Sequence, residues 1–94
     1  MAKFDIGETV ICSCEVKNTS GTLVDPATSM KIVIKQIKPN YSIIVSSTDM
    51  TRDSTGKYHY DFDSAGKSDG EYQAIYTATD GSRVTIEKDI FNLE

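Results

Sequence analysis

Ninety-four residues, 38% hydrophobic and 26% charged, have the makeup of one folded domain around one core. A net charge of −4 and a pI of about 4.9 leave no basic stripe to displace counterions from nucleic acid, so that partner class is not expected. No apolar run approaches the ~20 residues of a membrane-crossing helix, and Asp5, Gly7 and Glu8 follow Met1 too closely for a secretory apolar segment.

Taken in chain order, period-two alternation dominates. Lys3 to Ile6 allows a short first strand. Val10, Cys12, Cys14 and Val16 then share one face of a strand, with Thr9, Ser13, Glu15 and Lys17 on the other and Ile11 as the exception. Cys12 and Cys14 lie two apart on one strand. Their Cα atoms are then roughly 6.5–7 Å apart with parallel Cβ vectors. Packing as free, small hydrophobes is expected of them rather than a disulfide.

Asn18 to Gly21 and Asp25-Pro26 are turn signals. Met30, Ile32 and Ile34 alternate with Lys31, Val33 and Lys35, so the lysines read as a solvated strand face. Pro39-Asn40 turns the chain into a strand from Tyr41 to Ser47, with Ile43 and Val45 inward. Ser54-Thr55-Gly56 turns it again. Tyr58, Tyr60 and Phe62 alternate with Lys57, His59 and Asp61. A loop from Ser64 to Gly70 leads to Tyr72, Ala74, Tyr76 and Ala78, all expected inward. Asp80-Gly81 is a hairpin signal. Arg83 to Phe91 supplies the last strand, with Val84 and Ile86 expected inward and Ile90 a weaker candidate. About seven short strands with turn chemistry between them predict an all-β, seven-stranded antiparallel sandwich.

Asp69-Gly70-Glu71-Tyr72-Gln73-Ala74 stands ahead of the penultimate predicted strand. Glycine there allows a backbone angle that other residues resist. The tyrosine brings an apolar body and one polar tip that needs a partner. In immunoglobulin-like domains a tyrosine at this place in the strand order bonds back to upstream backbone and fixes a corner. Asp69, Gly70 and Tyr72 are therefore the expected structural corner. The order Asp5-x-Gly7-Glu8-Thr9-Val10, Gly21-x-x-Val24-Asp25-Pro26, Met50-Thr51-Arg52, Ser54-Thr55-Gly56-x-Tyr58-x-Tyr60, Gly70-x-Tyr72 and Asp80-Gly81 resembles bacterial, archaeal and phage immunoglobulin-like domains of the invasin-like and macroglobulin-like kind. Ala74 occupies the place of the second antibody cysteine, and tryptophan is absent.

The resemblance implies a building block with no catalytic role, foremost a small component of a phage or prophage particle (head, neck or tail). It would then be found in the virion or the host cytoplasm. The alternative is a spacer or adhesion module of a surface protein, found at the cell surface. Either way the expected partner is protein, or a second copy of the chain. Ile32, Val33, Ile34 and Ile43, Ile44, Val45 are apolar on both strand faces, which marks them as a candidate interface.

Four motifs point to chemistry and lack its context. Gly66-Lys67-Ser68-Asp69-Gly70 matches G-x-S-x-G, but no helix is predicted after it and His59 precedes the serine. Asp61-x-Asp63-x-x-Gly66 opens like a calcium loop and then has Ala65 and Tyr72 where ligands are needed. A looser calcium site would draw on Asp61, Asp63, Asp69 or Glu71. Cys12, Cys14 and His59 fall short of the four ligands of a zinc site. Asn18-Thr19-Ser20 and Asn40-Tyr41-Ser42 match the glycosylation pattern, but asparagine is common in turns for its own reasons. No cofactor and no small-molecule substrate are expected.

Overall fold

The computed structural model describes residues 2–94. It contains eight strands: β1 (Ala2–Phe4), β2 (Thr9–Glu15), β3 (Ser29–Lys38), β4 (Ser42–Asp49), β5 (Thr51–Ser54), β6 (Lys57–Asp63), β7 (Gly70–Asp80) and β8 (Arg83–Leu93). They form a five-stranded sheet in the order β1-β8-β7-β3-β4 and a three-stranded sheet in the order β2-β6-β5. No helix occurs among the described residues.

The expectation of seven strands, all antiparallel, is corrected in two ways. β1 pairs parallel with the end of β8, Ala2 beside Phe91 and Phe4 beside Leu93, so the large sheet is mixed. β5 is the added strand. All four of its residues are exposed, so no alternation announced it. Between β4 and β5 the chain passes from the large sheet to the small one. Met50 sits buried at this crossing, and its N–H donates to the Met30 carbonyl at 2.9 Å.

The core lies between the sheets. β3 contributes Met30, Ile32 and Ile34, β7 contributes Tyr72, Ala74, Tyr76 and Ala78, and the small sheet contributes Val10, Cys12, Tyr58 and Phe62. Cys14, Val16, Val45 and Tyr60 pack at its margin. Phe91 and Leu93 are buried as well, although the sequence pattern did not single them out. One end is filled by rings. Phe91 stacks on Tyr72 with centroids 5.6 Å apart and planes 11° apart, and Phe4 meets it edge-on at 6.0 Å. Phe62 completes the group, 6.2 Å from Tyr72. Such ring pairs add to simple area burial.

Val84, Ile86 and Ile43 stand outward, not inward: 57%, 56% and 60% exposed. For β8 the reason is register. Asp80 pairs with Arg83, so Ala78 faces Thr85, Tyr76 faces Glu87 and Ala74 faces Asp89. Opposite residues share a face, and one residue of slip reverses the whole strand. Thr85, Glu87 and Asp89 therefore point to the inner side, and Val84, Ile86 and Ile90 to the outer. For β4, irregular pairing with β3 sets Ile43 opposite outward-facing Lys35 and Val45 opposite buried Ile34.

Candidate functional site

At the corner, the Tyr72 hydroxyl donates to the Ser68 carbonyl at 2.6 Å, four residues upstream. The Asp69 carbonyl accepts from the Gln36 side-chain amide at 3.2 Å, which gives buried Gln36 a partner. Gly70 has φ of 145°, and a Cβ there would lie 2.2 Å from the Lys38 carbonyl oxygen. Only glycine fits at this approach of two strands. Asp69, Gly70 and Tyr72 thus meet at one place, and what they do there is hold backbone. Burial chiefly, helped by the Asp69 charge, pushes the Tyr72 hydroxyl above its ordinary pKa, so it stays a donor at neutral pH.

The sandwich is filled at that end and open at the other. A groove of about 680 Å³ runs between β2 and the first half of β8. Cys14, Val16, Met30, Tyr76 and Ala78 give it apolar surface, and Glu15, Lys17, Lys57 and Glu87 give it charge. Burial chiefly, with neighbouring carboxylates acting the same way, pushes the Cys12 and Cys14 thiols up to about 11. Both are neutral thiols near pH 7, and the neutral thiol is not the nucleophilic form.

A polar cluster joins this end through Tyr58, which lines the groove. Asp25 Oδ1 accepts from the Gly56 N–H at 2.9 Å and from the Tyr58 hydroxyl at 3.0 Å, while Oδ2 accepts from Arg52 Nε at 3.1 Å. Arg52 Nη2 also donates to Thr55 Oγ1 at 3.1 Å. The Gly56 amide is the main cause that holds the Asp25 carboxyl below its ordinary value, with Tyr58 and Arg52 adding to it. Gly56 is required here: its φ is 73°, and a Cβ would come within 2.9 Å of Leu23 and Val24. In sequence, Asp25 and Gly56 read as parts of two separate turns and Tyr58 as an inward strand residue. Their convergence depends on the folded chain.

His59 acquires an orienting partner that the sequence did not reveal. Its Nδ1 lies 2.6 Å from Asp53 Oδ1, and its Nε2 lies 3.8 Å from Asp61 Oδ1. Ser13 is its cross-strand neighbour on β2. Serine, histidine and aspartate are thus neighbours on the outer face of the small sheet. Among the described residues no hydrogen bond joins Ser13 to His59, and a general base must reach the proton it takes.

The remaining motifs are accounted for by local structure. Strand β7, not a helix, follows Gly66 to Gly70. Asp63 Oδ1 accepts from the Ala65 N–H at 3.0 Å, and Glu71 pairs with Lys38 at 3.8 Å. Among the described residues no three histidine, cysteine, aspartate or glutamate side chains cluster as a metal site, and Asp61, Asp63, Asp69 and Glu71 form none. The Asn18 side chain accepts from the Ser20 and Thr22 amides, which is turn chemistry.

The six residues of the candidate interface divide. Ile32 and Ile34 are fully buried and cannot present a surface. Ile44 and Val45 are half-buried against the core. Val33 and Ile43 lie on the outer face of the large sheet. There Val33 neighbours Ile75, Ile75 neighbours Lys88, and Lys31 leads through Thr77 to Ile86. Lys31 is tethered to Asp49 at 3.2 Å, and the Lys35 ammonium sits 5.3 Å over the Tyr41 ring. The result is an uncovered face rich in β-branched residues, crossed by lysines. The sequence pattern placed three of its members, Ile43, Val84 and Ile86, in the core and did not single out Ile75. Comparison of the chain with family models, with curated proteins and with solved structures finds no match.

Proposed function

We propose that this chain is an immunoglobulin-like module that works by docking to protein and carries no catalysis of its own. The setting proposed for it is a phage or prophage particle. Strand order supports the fold reading. A β2-β6-β5 sheet facing β8-β7-β3-β4 corresponds to the sandwich in which the second, fifth and fourth strands oppose the seventh, sixth and third, with one strand added beyond the third. The tyrosine at the start of β7, bonded back to Ser68, supports the same reading. Fold alone does not carry function.

The observation that carries the docking role is the outer face of the large sheet. Ile43, Val84, Ile86 and Ile90 are all exposed there, beside half-buried Val33 and Ile75. A soluble sheet face is ordinarily polar when nothing covers it. Nucleic acid, membrane insertion and a small-molecule substrate form no part of the proposal.

The test is quantitative mass spectrometry of purified particles from the source culture, with the native chain and with Ile43→Glu plus Ile75→Glu. The expected result is a fixed copy number per particle that the double variant loses at an unchanged melting temperature. Absence of the native chain from particles overturns the virion setting. Its recovery in the cell envelope instead supports the spacer or adhesion role.

A further inference from the structure

Three of the seven exposed large hydrophobic side chains, Val84, Ile86 and Ile90, belong to β8. This strand is paired with β7 along its whole length, from Arg83 to Leu93. Along its other edge, among the described residues, β1 lies beside Phe91 to Leu93. Among the described residues, Arg83 to Asp89 therefore carry a row of edge amides and carbonyls with no strand beside them. Such an edge is a template for another strand unless something blocks it.

We propose that this edge pairs with the same edge of a second copy of the chain, antiparallel across a two-fold axis at Thr85. The two five-stranded sheets then become one continuous sheet. The proposal deepens the docking reading above by naming one partner.

Charge complementarity carries it. In antiparallel pairing about a two-fold axis, residues equidistant from the axis stand opposite each other and share a face. Centred on Thr85, Arg83 meets the second copy's Glu87, twice by symmetry, and both contacts lie on the inner face. Val84 meets the second copy's Ile86, also twice, on the outer face. Threonine meets threonine at the centre. Opposite charges, apolar β-branched pairs and paired threonines are each favourable across strands. Among the described residues Arg83 and Glu87 make no ion pair within their own chain, so both are free for this contact.

The registers centred on Glu87 and on Ile86 fail. Centring on Glu87 sets two carboxylates face to face. Centring on Ile86 drives the second copy's turn at Gly81 against Phe91, where β1 already lies. Inward-pointing charges usually protect an edge from pairing. Here Glu87 blocks the wrong register and is neutralised in the right one. The paired segment, Arg83 to Glu87, is short against a standard interface, so the dimer forms at high concentration and dissociates on dilution.

The test is sedimentation velocity over a concentration series reaching the millimolar range, at low salt, on the native chain, Arg83→Glu, Glu87→Arg, and an equimolar mixture of the two variants. Both sites are exposed, and circular dichroism confirms that each variant folds. The native chain is expected to dimerise. Each variant alone sets like charges opposite each other at both contacts and weakens dimerisation about tenfold or more. The mixture restores opposite charges at both contacts and is expected to recover native affinity as a heterodimer. A native chain that stays monomeric throughout overturns the proposal. So do variants that associate as the native chain does, and a mixture no stronger than its components. Any of these failures leaves the outer-face docking standing, because Ile43 and Ile75 test that separately.

Discussion

The two ends of β8 lie in one strand and obey different rules. From Phe91 to Leu93 it is paired on both edges, and its inward side chains are sealed among Phe4, Phe62 and Tyr72. From Arg83 to Ile90 every residue is exposed, among the described residues no strand lies along the outer edge from Arg83 to Asp89, and the inward side chains are Thr85, Glu87 and Asp89. The C-terminal end holds the sandwich shut with packed rings. The N-terminal part borders the groove with polar side chains, Thr85 and Glu87. One strand can thus be core at one end and available surface at the other, because burial is decided by what lies across from each residue.

The sharpest test of this contrast is Phe91→Ala. Removing a ring that contacts three others is expected to cost about 3–5 kcal/mol in denaturant-monitored stability. A loss below about 1 kcal/mol would mean that the ring cluster does not hold the closed end. Tyr72→Phe keeps the ring and removes only the bond to Ser68. It is expected to cost about 1 kcal/mol, and an unchanged stability would remove the hydroxyl from the corner.

The open end is held differently, by the carboxylate of Asp25, and acid separates the two ends. Asp25 titrates below its ordinary value of 3.8 in the folded chain. In that range the unfolded chain binds more protons, so stability falls as pH falls. The contribution is complete above 3.8 and disappears as pH drops through the lower, folded value. Between pH 5 and pH 2, Asp25→Asn is expected to show a flatter acid limb than the native chain. Hydrogen exchange at Val16 and Val24, whose amides bond beside Gly56, is expected to accelerate in acid before exchange at Tyr72 does. Equal acid limbs would show that Asp25 does not staple this end. The smallest effect is expected at Ile86→Thr, within about 0.5 kcal/mol at low protein concentration. A cost comparable to that of Phe91→Ala would mean that Ile86 is packed rather than exposed.

Much of the corner was legible because its parts are local. Gly70, Tyr72 and the Ser68 carbonyl lie within five residues, and a glycine followed by an inward tyrosine announces both the backbone angle and the buried polar tip. The Asp25 cluster was illegible for the opposite reason. Its members come from residues 25, 52, 56 and 58, and nothing local tells an aspartate in one turn that it will accept from an amide in another. His59 is a similar case: Asp53 becomes its partner only because β5, a strand without alternation, lies beside β6.

Alternation along the chain determined that this is an all-β protein and correctly named most of the inward residues of β2, β3, β6 and β7. The physical reason is that a strand has a fixed side-chain period of two, so pattern alone separates one face from the other. Pattern does not say which face meets the core when apolar residues lie on both, or where the turn sets the register. In β8 the pairing of Asp80 with Arg83 made that choice, and it turned Val84 and Ile86 outward. The parallel β1, the exposed β5, the groove and the free edge of β8 were likewise decided only by tertiary structure. Each depends on which distant strand lies alongside, and short-range sequence carries no record of that.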